Sequence, residues 1–275
     1  MARAVSKPSS AAYVLHSHDW SESSLILDLF TRDHGRVVAV AKGAKRPYSQ
    51  LRPVLMPFQR LNVTFGARRT DETEVWLMRQ AEWAGGPAWA GGAALLPGFY
   101  LNELLMRLLA RHDPHPGLFD AYAQVLPALT DPALLQAALR AFEVVLLRQL
   151  GHLPDLSTLT VGGAVAVAGQ RYELSPQWGV SLASRASHTT TGRSGGDPAL
   201  ANATLDGAVL LQLEAALSTE GEGGRTILTP AMAPVMAACL PALTELKTAL
   251  RTLLHYHLGS HPLRTRQLMM ELQQA

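Results

Sequence analysis

Hydrophobic and polar positions follow two rhythms along this chain. Up to about residue 82 the apolar residues form short β-branched or alternating runs, the period of strands. Beyond residue 95 they recur at i, i+3 and i+4, the period of buried helices. The strand-like runs lie at 13–16, 23–30, 35–41, 61–65 and 74–78. Asp33-His34-Gly35 predicts a hairpin between the second and third, with Gly35 where a positive φ costs little. Five short strands in so small a span suit a closed barrel better than an open sheet. A five-stranded oligonucleotide-binding (OB) barrel is favoured over an SH3-like one.

The helical half is punctuated by its own signals. Helices are expected over 95–109, 118–129 and 131–150, the third opened by Asp131 as N-cap with Pro132 behind it and closed by Gly151. Residues 153–182 are irregular, with a strand pair expected around 165–167 and 171–174. The Ser/Thr/Gly/Ala run at 184–202 has no period and is expected to be a mobile loop. Helices resume at 205–217, 242–258 and 262–272. The fold class is therefore α+β multidomain: a flexible tail at 1–11, the barrel at 12–83, and a helical domain at 84–275 with an irregular insert at about 153–204.

Charge sharpens this picture where it is uneven. The whole chain carries a formal +2, but up to Glu82 there are twelve bases against eight acids. Between Arg32 and Arg69, Asp33 is the only acid among nine bases. The densest stretch follows the third strand, where Lys42, Lys45, Arg46 and Arg52 alternate with Gly43, Pro47 and Ser49. A strand that ends in a cationic, glycine-containing loop presents positive charge to a polyanion, and nucleic acid is the expected partner. The candidate DNA contacts are Arg32, Arg36, Lys42, Lys45, Arg46 and Arg52, with Tyr48 beside Pro47 as an exposed ring on which a base can stack. Phe58 and Phe65 are expected in the core.

Chemistry-bearing motifs are sparse. His16-x-His18-Asp19, His112-Asp113-x-His115 and His255-x-His257 are close in sequence, yet residues i and i+2 of a helix face different ways, so no metal is expected. There is no Gly-x-Ser-x-Gly elbow, no phosphate-binding Gly-Lys-Thr loop and no acid cluster for two-metal chemistry, which argues against an enzyme and against a cofactor. Cys239, the single cysteine, is expected buried and inert and fits a reducing compartment. No secretory signal and no membrane-length apolar run is seen, so a cytoplasmic, nucleoid-associated protein is expected.

Several stretches taken together resemble the bacterial recombination and repair mediator family RecO. They are Tyr13-Val14-Leu15, Glu22-Ser23-Ser24-Leu25, Leu29-Phe30-Thr31, Gly35-Arg36 and Ala41-Lys42-Gly43-Ala44-Lys45-Arg46. Further along come Phe99-Tyr100-Leu101-Asn102-Glu103-Leu104-Leu105, Asp113-Pro114-His115-Pro116, Leu118-Phe119, Phe142-Glu143, Leu146-Leu147 and Leu150-Gly151. The resemblance implies an OB barrel followed by a helical domain, and work without catalytic turnover. It implies binding to single- and double-stranded DNA, strand annealing, and loading of RecA with RecR and RecF onto strands coated by single-stranded DNA-binding protein. It also implies capture of that protein's acidic C-terminal tail, for which Arg107, Arg111, Arg140 and Arg148 lie near leucine-rich helix faces. Some family members carry a four-cysteine zinc site at the region corresponding to about 153–182; no cysteine stands there in this chain, so no zinc is expected. The rival reading is a protein-interaction scaffold whose basic barrel docks acidic peptides. An enzyme with a site assembled from scattered residues is the third.

Overall fold

The computed structural model describes residues 9–66, 75–86, 92–183, 203–218, 231–259 and 262–274. The expected loop at 184–202 and most of the expected tail lie outside these. The chain divides into two compact units, residues 1–127 with 263–275, and residues 128–262. That division differs from the boundary expected at 83, because two helices and the C-terminal segment belong with the barrel.

The barrel is built from β1 (Ser9–Asp19), β2 (Leu25–Thr31), β3 (Gly35–Ala41), β4 (Leu61–Phe65) and β5 (Val75–Trp83). It closes in the order β1-β2-β3-β5-β4, with β3 and β5 parallel and every other pair antiparallel. This is the five-stranded OB-like barrel anticipated from the pattern. Ser9 to Ala12 pair with Leu61 to Thr64, so residues 9–11 are strand and not tail. Alternation fixes the two faces. Ala12, Val14, Leu27, Leu29, Val37, Ala39, Ala41, Leu61, Val63 and Phe65 point inward to a shared core. Gly35 turns the β2–β3 hairpin at φ 65°, where the Thr31 hydroxyl donates to the Gly35 carbonyl and accepts from the His34 amide.

Helices α1 (Leu95–Leu108) and α2 (Pro116–Ala128) pack on the outer face of β1 and β2. Tyr13 and Phe30, cross-strand partners on that face, pack on Phe119 and Tyr122 with ring centroids 5.0–6.3 Å apart. A β-bulge between Val14 and His16 leaves Leu15 without a ladder partner, and its carbonyl accepts from the Asn102 side chain at 3.0 Å. Asn102 in turn accepts from the buried Tyr122 hydroxyl at 2.6 Å. A bulge that would strand a polar group is thus answered by one asparagine. The last helix of the chain, Arg264–Gln274, docks on α1. Glu103 caps its start by accepting from the amides of Arg264 and Thr265 and from the Thr265 hydroxyl, at 2.7–3.0 Å.

In the second unit, α3 (Leu135–Gln149) is buried from Ala137 to Leu147, and the two charges inside that stretch, Arg140 and Glu143, pair with each other. Asp131 accepts from the Ala133 amide in a turn that precedes this helix, so helical structure begins later than its Asp-Pro signal predicts. Gly151, at φ 71°, ends it: its amide donates to Arg148 and the next amide to Leu147, a Schellman closure. Strands β6 (Arg171–Ser175), β7 (Gly179–Leu182) and β8 (Thr204–Asp206) form a small sheet ordered β7-β6-β8. Val165 bridges Thr158 instead of pairing with 171–174, which corrects the expected strand pair. Helices α4 (Gly207–Leu217), α5 (Met232–Cys239) and α6 (Leu243–Leu258) complete the unit, and the last helix of the chain is α7. Among the described residues no helix is long and apolar enough to cross a membrane.

Candidate nucleic-acid interface

The cations predicted from sequence fall into two groups. Arg36 is not a surface base. Its side chain, 16% exposed, donates to the Asp28 carboxylate at 3.0–3.1 Å and to the Met106 carbonyl, tying β3 to β2 and to the end of α1. Its own carbonyl accepts from the His112 amide at 2.9 Å. Arg32 makes a bidentate pair with Asp120 of α2 at 2.9–3.0 Å. Lys45 contacts Asp19 at 2.9 Å and the Ser21 carbonyl at 3.1 Å, while its amide donates to Ser23. Each of these three candidate DNA contacts thus already has an internal partner that holds the barrel to its helices or one loop to another.

Lys42, Arg46 and Arg52 are different. All three are exposed on the long β3–β4 connection, and none has a side-chain partner among the described residues. Tyr48 stands between them with 94% of its surface exposed. Gly43, at φ 73°, turns the chain away from β3 immediately after Lys42. Phe58 and Phe65 are buried, as expected; Phe58 holds an unusual positive φ of 66°, with its ring against Phe99.

The β3–β4 connection meets the β1–β2 turn at one end of the barrel. Asp19, Leu25 and Ala41 are neighbours across three strands, so Trp20 and Lys42 are the next residues outward on β1 and β3. Trp20 keeps the hairpin ladder going by donating to the Ser24 carbonyl at 3.2 Å, yet its ring is 64% exposed. Two imidazoles lie behind it on the same strand: His16 and His18, 4.2 Å apart edge to face. Burial and the neighbouring His18 push His16 below the usual histidine range, against the pull of Asp28. Sequence reading missed Trp20, although a tryptophan inside the polar turn Asp19-Trp20-Ser21-Glu22-Ser23 has no core to enter and was the available signal.

The bases expected to take an acidic tail also separate. Arg140, 9% exposed, is locked to Glu143 inside α3 at 2.8 Å and belongs to the interior. Arg148 is held by Glu214, which also accepts from the Leu156 amide. Arg107 pairs with Glu103 one turn back. Arg111 is exposed, its backbone beside Arg36. Arg140 and Arg148 are thus both engaged by carboxylates within their own unit.

A tetrathiolate zinc site does not fit this chain. Cys239 is buried in α5, where burial and then Glu143 push its thiol up to about 12, and the small sheet has no other thiol to offer. That sheet is tied instead by hydrogen bonds. The Tyr172 hydroxyl accepts from Val167 and donates to Gln170; Thr160 accepts from Val180; Asp206 accepts from Gly169 and Ala208.

A closed OB-like barrel that carries exposed cations, unpaired among the described residues, on its β3–β4 connection belongs to a fold class widely used to bind nucleic acid. Residues 6–85 match the model for recombination protein O N terminal, and residues 92–199 match that for recombination protein O C terminal. The DNA repair protein RecO of Polaromonas naphthalenivorans is 47% identical over 264 residues, covering 95% of both chains. That of Verminephrobacter eiseniae is 45% identical over the same length and coverage. The chain belongs to the RecO family.

Proposed function

We propose that this protein is a non-catalytic DNA-binding mediator of recombinational repair. It holds single- and double-stranded DNA by the backbone, brings complementary strands together, and helps load RecA onto single strands coated by single-stranded DNA-binding protein. One observation carries the reading: Lys42, Arg46 and Arg52 stand exposed on one loop of an OB-like barrel, with no internal partner among the described residues. Annealing needs two polyanions held close and no covalent bond made, which backbone-gripping cations accomplish without reading base edges. Membership of a family whose named members are DNA repair proteins supports the same conclusion. RecR, the acidic C-terminal tail of the coating protein, and RecF are the protein partners this role brings with it.

The test is strand annealing of complementary oligonucleotides, naked and coated. Acceleration in both states is expected. No acceleration in either refutes the proposal. Tight binding of an acidic peptide with no DNA binding at matched ionic strength would make the barrel a peptide-docking scaffold instead.

A further inference from the structure

Helices α1 and α2 pack on the outer face of β1 and β2; farther along that face Asp28 and Val38 are still buried, Ile26 and Val40 are half-buried, and His16 and His18 are exposed. Asp28 and Ile26 oppose His16 and His18 on β1, and Val38 and Val40 continue these rows onto β3. The core residues Leu27, Leu29, Ala39 and Ala41 alternate with them, so His16, His18, Ile26 and Val40 all face outward. Trp20, whose amide continues the ladder to Ser24, follows His18 in this alternation, and Lys42 opens the turn that follows Val40 and Ala41. Neighbouring strands are about 4.8 Å apart, which sets Trp20 and Lys42 roughly 10 Å from each other at the backbone. Tyr48 follows on the loop that Lys45 ties to the β1–β2 turn through Ser21, Ser23 and Asp19.

Resting on the DNA-binding function proposed above, we infer that Trp20 and Tyr48 form a base-stacking platform that takes unpaired bases of single-stranded DNA, with the His16–His18 pair extending it along β1. Two large rings left 64% and 94% exposed lose apolar contact that a soluble domain ordinarily recovers in its core. What occupies them is indicated by charge: Lys42 and Arg46, exposed and unpaired among the described residues, lie on the same loop as Tyr48, and a nucleotide is the ligand that presents an anion and an aromatic plane together. Duplex DNA hides its base faces, so the platform discriminates between strand states while the cations do not.

The experiment measures binding of labelled oligothymidylate, an abasic strand of equal length, and a duplex to the full-length protein, to Trp20→Ala, to Tyr48→Ala and to the double variant. Each alanine is expected to weaken oligothymidylate binding about fivefold or more, and to leave duplex binding within about twofold. Wild-type affinity for the abasic strand should fall to that of the double variant. Trp20→Phe, which keeps a ring, should retain most of the affinity. Equal binding of base-bearing and abasic strands by the wild type overturns the platform while leaving DNA binding intact. So does a double variant that loses single-strand and duplex affinity alike. Failure of the wild type to bind any of the three DNAs removes the underlying function as well.

Discussion

Replacing Lys42, Arg46 and Arg52 together by alanine separates free cations from tied ones. Each phosphate neutralised on a single strand contributes about −0.7 to the slope of log affinity against log salt, so three lost contacts flatten the slope by about 2.1. Between 50 and 200 mM salt, wild-type affinity should fall roughly eighteenfold further than that of the variant. All three side chains are exposed and unpaired among the described residues, so thermal stability should change little. Arg36 supplies the control. Arg36→Met strips the partner from Asp28, itself only 11% exposed, and should cost about 3 kcal/mol of stability while leaving the slope of the folded protein in place. Anisotropy titrations at four or five salt concentrations, with urea melts of the same preparations, read both quantities. A triple variant that is folded and keeps the wild-type slope refutes the assignment. So does a slope that moves with Arg36→Met at temperatures where that variant remains native.

Gly35→Ala should destabilise the barrel unit by about 2–4 kcal/mol, because its Cβ would sit 2.0 Å from the Asp113 carbonyl oxygen at a backbone φ of 65°; an unchanged urea midpoint would contradict this. Glu103→Ala should loosen α7, losing about 1–2 kcal/mol of capping, and hydrogen exchange over 264–274 should accelerate selectively. The same cap is pH-sensitive. Burial alone would raise the Glu103 carboxyl, but Thr265, Arg264 and Arg107 outweigh it and hold the group below its usual range. Its contribution is therefore complete above about pH 4.5 and fades as acid titrates the folded carboxylate, a loss that Glu103→Gln should abolish. Cys239 should resist maleimide at neutral pH until the second unit unfolds; labelling of the native protein at the rate of a free thiol would place it elsewhere.

Which parts of this molecule could be read from the chain follows from the range of the forces involved. The five strands announced themselves because burial on one face imposes a period of two, as Val37, Ala39 and Ala41 show in β3. The start of β1 did not, since Ser9, Ser10 and Ala11 carry little apolar contrast and gain their place by pairing with β4 some fifty positions on. Gly35 and Gly151 were legible because a left-handed backbone selects its residue locally. The late start of α3 was not, as Asp131 satisfies a nearby amide just as well in a turn.

Charge behaves in the same way, and this decides what the barrel shows to solvent. The sequence displays nine bases between Arg32 and Arg69 but cannot display their partners, for Asp120 lies 88 positions from Arg32 and Met106 lies 70 from Arg36. Those pairings do not dilute the basic surface; they concentrate it. Asp28 is neutralised beneath the helices and Asp19 at the turn, so the acids that would have opposed a phosphate on the open end are already answered by Arg36 and Lys45. Glu22 is the acid of the β1–β2 turn that remains without an ion pair among the described residues. Lys42, Arg46 and Arg52 consequently act on solvent with most of the local negative charge already compensated, and over a Debye length of about 8 Å at physiological salt it is this local balance, not the chain's net +2, that a passing strand encounters.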